Sequence, residues 1–351
     1  MNVTTAMPTA VTPAAARDSI GDRITRWLGG GWVLIFLIAL VAFFAITEPQ
    51  RFPTGYNLST LAIDAAILLV MAVGQTYVII TAGIDLSVGS VLVFSSVVGT
   101  KVMLALSDAD GATYGTTNAG WLVITVGLAV TVVAGLAFGL INGFLVAHAR
   151  VPALIVTLGT LGIALGAAQL ITNGQDVRAV PQLLVDVVGN GAIAGAPVLV
   201  IIAAVVAVVA GIVLHRTRFG IWTFAVGSSS EASRRSGVPL RAQIIKVYAI
   251  SGSLAGLAAF MSVARFSTTT IGGHTADNLA TISAVVLGGT SLFGGIGTIL
   301  GTVIGVFIPI VLLNGFVITG IPPFWQTVAM GAVLILAVYL DQLKRRARNL
   351  S

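Results

Sequence analysis

Gly83-Ile84-Asp85-Leu86-Ser87-Val88-Gly89 sets one carboxylate between two glycines, with hydrophobic sequence on both sides. A charge moved to the centre of a bilayer costs ~2.5–3.5 kcal/mol on a lenient insertion scale, so an acid in this setting needs a task. Two tasks suit Asp85. It can N-cap the following helix, accepting hydrogen bonds from free N–H groups at the positive end of the helix dipole. Alternatively, the preceding helix breaks early at Gly83, and Asp85 and Ser87 face a polar path between helices as part of a gate. The spacing returns at Gly289-Thr290-Ser291-Leu292-Phe293-Gly294-Gly295, with serine in place of the acid. Glycines at 288, 289, 294, 295 and 297 let that chain turn sharply and expose backbone groups. At membrane depth such groups must be buried or face a water-filled cavity. An ordinary tight connection between spans is the alternative.

Other polar side chains interrupt apolar stretches: Gln75, Asn142, Thr157, Gln169, Asn314 and Gln326, the last beside Trp325. Amides and hydroxyls of this kind suit a neutral, hydroxyl-rich solute moving along a translocation path, and an aromatic face suits a sugar ring. Hydrogen bonding between helices accounts for each of them equally well, and Trp325 fits an interface anchor.

A third cluster is polar throughout. In Gly227-Ser228-Ser229-Ser230-Glu231-Ala232-Ser233-Arg234-Arg235-Ser236-Gly237-Val238-Pro239 the serines offer N-caps and Glu231 favours a first turn. Arg234 and Arg235 favour a last turn, and Gly237 closes it before Pro239. This spells a short capped helix able to dock into another protein; a solvated loop whose arginines set topology is the other reading.

Long apolar elements must position these clusters. Hydrophobic residues make up 57% of the 351 and charged residues only 9%, whereas about a quarter of a soluble protein is charged. The chain is therefore read as an all-α polytopic membrane protein. Asp, Glu, Lys and Arg are absent from Trp27 to Thr47, Ala65 to Ile84, Leu86 to Thr100, Gly111 to Ala149, Ala153 to Gln175, Val187 to His215 and Val247 to Ala264. Each run holds one helix of roughly 20 residues. The run from Leu279 to Leu340 would reach roughly 90 Å as one helix, so three crossings suit it, broken at Gly294-Gly295 and at Gly320 with Pro322-Pro323. The expectation is about ten transmembrane helices, broken or short near Gly83–Gly89 and Gly288–Gly297.

Charge orients them. Arg216, Arg218, Arg234, Arg235, Arg241 and Lys246 face a single acid, Glu231, within the segment 215–246, which marks that loop as cytoplasmic. Arg150 falls on the same side, and so does the basic C-terminal tail 342–351. Connections carrying Glu48, Asp108, Asp176 and Asp277 fall outside. Residues 1–26 read as a disordered cytoplasmic tail before an uncleaved first span, leaving 27–341 as the membrane domain with both termini inside. On this reading the twenty-one residues from Asp64 to Asp85 cover about 31 Å, placing Asp85 near the inner boundary. Small residues such as Gly135, Gly139 and Gly143, or Gly252 and Gly256, read as close helix contacts.

Composition also excludes functions. No cysteine is present, and His148, His215 and His274 are far apart, so neither a metal nor another cofactor is expected. The net charge of +6 gathers at the ends of apolar runs rather than interleaving with aromatics, which argues against nucleic acid. No Gly is followed by Lys, so the chain has no P-loop with which to hydrolyse ATP, and hydrolase and zinc-peptidase motifs are missing too.

From about Asn57 to Asp341 these motifs, in this order, resemble the permease subunits of ribose-type ABC sugar importers. The likeness rests on Gly83 to Ser90, on Gly139-Leu140-Ile141-Asn142-Gly143 with Val151-Pro152 and Thr157-Leu158-Gly159-Thr160, on Glu231 to Val238, and on Val285 to Leu292. It implies a homodimer or heterodimer of permeases in the bacterial inner membrane, an extracytoplasmic solute-binding protein and cytoplasmic ATPase subunits. Glu231, Ala232, Arg234, Arg235 and Gly237 would form the ATPase-coupling helix. Ser228 stands where that family often has asparagine. An ion-gradient-coupled carrier that depends on Asp85 is the competing expectation.

Overall fold

The computed structural model describes residues 31–107, 114–274, 276–322 and 324–349. The N-terminal tail 1–26 and the connection at Asp108 lie outside them.

Each apolar run contains helix among the described residues, because apolar side chains can meet lipid or one another while the backbone must satisfy its own N–H and C=O groups. The helices are α1 (Trp32–Thr47), α2 (Gly55–Ile80), α3 (Val88–Leu106), α4 (Trp121–Ala147) and α5 (Ala153–Thr172). A single turn, α6 (Gln182–Leu184), runs into a π-helical turn at Val185–Gly189. Then come α7 (Val198–Arg216), α8 (Arg218–Ser228), α9 (Ser230–Arg235), α10 (Leu240–Phe266), α11 (Asp277–Leu287), α12 (Ile299–Ile318) and α13 (Phe324–Asn349).

Among the described residues seven helices, α2, α3, α4, α5, α7, α10 and α12, are long and apolar enough to cross a membrane, and the apolar parts of α1, α11 and α13 are shorter. A count near ten whole spans is therefore not what the helix lengths deliver. The eleven residues of α11 rise about 16 Å, roughly half of a 30 Å hydrocarbon layer. The run from Val187 to His215 is not one helix either. Its first part folds into the π turn and a two-residue hairpin, β3 (Ala192–Ile193) against β4 (Ala196–Pro197), with Ala194 and Gly195 at positive φ in the turn. Membrane-length helix starts only at Val198, after Pro197 has fixed the entry angle.

The centre of the bundle is α2, buried along nearly its whole apolar length, with α10 and α3 next in burial. Helices α4 and α10 meet at van der Waals limits. A Cβ on Gly135 would lie 2.1 Å from the carbonyl oxygen of Gly252, and one on Gly252 would lie 2.3 Å from that of Gly135. Small residues thus set the closest backbone contact, as lipid-embedded helices require. At the end opposite α9, β1 (Tyr114–Thr117) pairs in parallel with β2 (Arg178–Pro181), a small sheet that the spacing of apolar residues does not announce.

Candidate functional site

After Ile80 the chain does not continue as helix. Ala82 takes φ 60, the left-handed region, and residues 83–87 turn back along α2. With its amide oxygen towards the Asp85 N–H and its nitrogen towards the Asp85 carbonyl, Gln75 pairs with that backbone at 3.3 Å twice. Oδ2 of Asp85 accepts from Ser251 Oγ, near the middle of α10, at 3.2 Å. Asp85 therefore sits well inside the bundle, 2% exposed, and not at the inner boundary that continuous helical rise from Asp64 indicates. The reversal at Ala82 is the reason.

Its carboxylate serves three donors. Oδ1 accepts the Ser87 N–H at 2.9 Å and the Ser87 hydroxyl at 2.6 Å, and Oδ2 takes Ser251. This is an Asx turn one step ahead of the helix rather than an N-cap. The N-cap residue of α3 is Ser87, without a capping side chain of its own, and the Gly89 N–H is taken by Asn278 Oδ1 of α11 at 2.7 Å. The beginnings of α3 and α11 thus meet inside the bundle, with the carbonyl of His274 only 2.4 Å from where a Gly89 Cβ would stand.

Neighbouring helices complete the shell. Asn142 of α4 donates to Ser87 Oγ at 2.9 Å, and Thr157 of α5 donates to the Ile84 carbonyl at 3.3 Å. Tyr248 of α10 points its hydroxyl at Gly83, where a Cβ would be 2.8 Å away. Two buried atoms here, Asn142 Oδ1 and Tyr248 Oη, lack a protein partner among the described residues. Buried polar atoms normally find one, so these two groups stand out in an otherwise satisfied shell.

The sequence-derived path residues therefore divide. Gln75, Asn142 and Thr157 converge on the Asp85 loop. Asn314 does not: it exchanges two amide hydrogen bonds with Asn57, at 3.1 and 2.9 Å, and borders a separate cavity of about 430 Å³ with Asp64, Thr270, His274 and Asp277. In that cavity wall His274 bridges Ser262 at 2.9 Å and Asp277 at 2.7 Å. Gln326 is half-exposed beside an exposed Trp325 on α13, and Gln169 is exposed on α5. Neither approaches the Asp85 loop.

At the other glycine motif α11 stops at Leu287, and residues 288–298 cross to α12 without helix. Gly289, Gly294 and Gly295 all take positive φ. The Gly295 N–H donates to the carbonyl of Ile80 at 2.8 Å, so the end of α2 is tied to this loop. Ser291 Oγ donates to Asp341 Oδ2 at 3.1 Å.

The short polar helix forms as its residues dictate. Ser229 caps it by accepting the Ala232 N–H at 3.2 Å, and Gly237 ends it at φ 81. Glu231 accepts from Arg234 at 3.0 Å and from Arg235 at 3.1 Å, all three side chains being exposed. Those hydrogen bonds from Arg234 and then Arg235 hold the Glu231 carboxyl below its usual range. The segment leading into α9 reaches the core. A Cβ on Gly227 would stand 1.7 Å from the Ile80 carbonyl oxygen and 2.7 Å from the Gly295 nitrogen.

Sequence reading overlooked Ser251, Tyr248, Asn278 and Asp341. The first three are ordinary polar residues on amphiphilic stretches, with nothing local to mark them. Asp341 had a signal, since it is the acid that ends the charge-free run from Leu279.

Residues 57–338 match the family model described as branched-chain amino acid transport system / permease component. The ribose import permease protein RbsC of Escherichia coli (strain K12) is 35% identical over 322 residues, covering 91% of this chain and 95% of that protein. The L-arabinose ABC transporter permease protein AraH of Azospirillum brasilense is 33% identical over 340 residues, covering 97% and 94%. The D-allose transport system permease protein AlsC of Escherichia coli (strain K12) is 34% identical over 310 residues, covering 88% and 90%. No solved structure matches this chain.

Proposed function

We propose a mechanism from one premise: this chain belongs to the family of branched-chain amino acid transport system permeases, among the ribose-type permeases of ABC sugar importers. It is a multi-pass membrane permease subunit, not a catalytic enzyme. ATP hydrolysis is the work of separate cytoplasmic subunits, and an extracytoplasmic binding protein delivers the solute to a pair of permeases. Its relatives are named for ribose, L-arabinose and D-allose, so the cargo class is a monosaccharide or similar polyol.

Ten passages of chain through the inner membrane, with both termini cytoplasmic, fit this role. Two are only partly helical: residues 81–87 re-enter before α3, and 267–274 dip inward before α11. Discontinuous helices that meet inside the bundle are a recurrent way to build a site with exposed backbone groups. Asp85, its carboxylate held by Ser87 and Ser251 and its backbone by Gln75, then positions a gate rather than gripping the sugar, since its three accepted hydrogen bonds are all internal.

One observation carries the coupling. Gly227, two residues before the cap of α9, lies against both Ile80 and Gly295, so a displacement of α9 by an ATPase reaches the end of α2 and the glycine-rich loop 288–298 at once. Glu231, Ala232, Arg234, Arg235 and Gly237 form the docking element. The test is uptake of labelled ribose, arabinose and allose into vesicles holding the permease, its ATPase and its binding protein. Uptake should need ATP and persist when the proton gradient is collapsed. Uptake that follows the gradient and ignores ATP would sink the importer reading and restore the carrier.

A further inference from the structure

The second glycine motif lacks an acid in sequence, yet the fold brings one to it. In the first motif a carboxylate oxygen at the third position, Asp85, accepts the N–H of the residue two further on, Ser87, at 2.9 Å. At the equivalent place in the second motif the hydroxyl oxygen of Ser291 accepts the N–H of Phe293, also two further on, at 3.4 Å. That hydroxyl in turn donates to Asp341 Oδ2 at 3.1 Å, and the same oxygen accepts the Leu292 N–H at 3.2 Å. The carboxyl group has moved one hydrogen bond away and onto another helix, α13.

We propose that Asp341 is the displaced counterpart of Asp85, a positioning residue that fixes the loop 289–297 against the segment carrying α9. The consequence for function rests on the importer reading above. Loop 289–297 is pinned on two sides. On one side Gly295 donates to Ile80 and abuts Ser228, whose Oγ would be 2.4 Å from a Gly295 Cβ. On the other side Asp341 is the anchor. Gly294 packs on the re-entrant loop of the first motif, where a Cβ would meet that of Ala82 at 2.9 Å. Releasing Asp341 therefore loosens a loop that touches α2, the re-entrant chain and the approach to α9 together. It also frees α13, which has few other polar ties to the bundle among the described residues.

The absence of cysteine permits a direct test. Ile296→Cys, 43% exposed in this loop, is introduced into the full chain in membrane vesicles, and its rate of reaction with a membrane-impermeant maleimide is measured. Asp341→Ala should raise that rate about tenfold, the effect of losing a charge-assisted hydrogen bond of 1.5 kcal/mol or more, and Asp341→Asn should raise it less. A transplanted acid, Ser291→Asp with Phe293→Ser and Asp341→Ala, rebuilds the first motif's chemistry and should return the rate to within twofold of the parent. In the complex with its ATPase the ratio of binding-protein-stimulated to basal ATP hydrolysis should fall with Asp341→Ala and recover in the transplant. Unchanged labelling in Asp341→Ala overturns the anchoring role, and a transplant that inserts normally but fails to restore labelling overturns the equivalence. A parent complex with no stimulated hydrolysis defeats the importer reading alone, because the labelling still decides what Asp341 does.

Discussion

Gly227 and Ile80 are in backbone contact across the bundle, so close that any side chain at residue 227 would overlap the Ile80 carbonyl, whose oxygen lies 1.7 Å from the Cβ position. That carbonyl already accepts from Gly295, which leaves it no freedom to retreat. Gly227→Ala should thus destabilise the purified permease by about 1–3 kcal/mol, the usual cost of overpacking, and should reduce ATP-driven uptake more than substrate delivery. Gly159 on α5, whose Cβ would meet nothing within 4 Å, is the control: alanine there should be neutral or stabilise by about 0.5–1 kcal/mol. Thermal unfolding in detergent distinguishes them, and equal melting temperatures for the two variants would remove Gly227 from the coupling route.

Asp85 offers a graded test. Asparagine keeps an acceptor for the Ser87 N–H and can receive or give a hydrogen bond at Ser251, whereas alanine leaves the Ser87 N–H and two hydroxyls without their acceptor. A buried donor left unpaired costs about 1–3 kcal/mol. Asp85→Ala should therefore lose both assembly and uptake, and Asp85→Asn should retain assembly with a partial loss of uptake. Complete loss of uptake in both, with both normally assembled, would mean that the charge itself is required for transport.

The sequence made the long helices legible because apolar backbone in lipid must pair with itself, though it did not announce the hairpin before Val198, and it made α9 legible because Ser229, Glu231, Arg234 and Gly237 each act within a few residues. Asp85 was legible as an oddity but not in its depth: helical rise was carried past Ile80, and the left-handed turn at Ala82 is a tertiary choice, made by a residue type that does not advertise it. Asn278, capping Gly89 from 189 residues away, and Asp341, serving Ser291 from 50 away, are contacts that no local pattern encodes. Asn314 looked like a path residue because an amide in an apolar helix has the same spelling whether it waits for a sugar or for another amide.

Acid should weaken α9 only at low pH. The carboxyl of Glu231 is held below its ordinary value of 4.5 by Arg234 and Arg235, so its contribution is complete above that value and is lost as pH falls through the lowered one. Binding of the ATPase subunit should hence be flat from about pH 8 to pH 5 as far as this group is concerned, and Glu231→Gln should weaken it at neutral pH. The difference between parent and variant should vanish below the lowered value. Pull-down of the ATPase across this range measures it, and a parent–variant difference that disappears near neutrality would assign the interaction to another group.

The amide pair between Asn57 and Asn314 separates a structural role from a transport role. Each side chain donates to the other, and Asn57 also donates to the Phe52 carbonyl at 2.9 Å, so the pair fastens the start of α2 to the end of α12. Interhelical hydrogen bonds in membranes couple by about 0.6 kcal/mol on average and up to about 1.7. A double-mutant cycle with Asn57→Ala and Asn314→Ala should return a coupling energy in that range, because either substitution alone already breaks both bonds. Uptake should fall alike in the two single variants and little further in the double. If Asn314→Ala abolished uptake while Asn57→Ala kept it, Asn314 would face the solute from the cavity it borders with Asp64 and Asp277, and the pairing would be incidental.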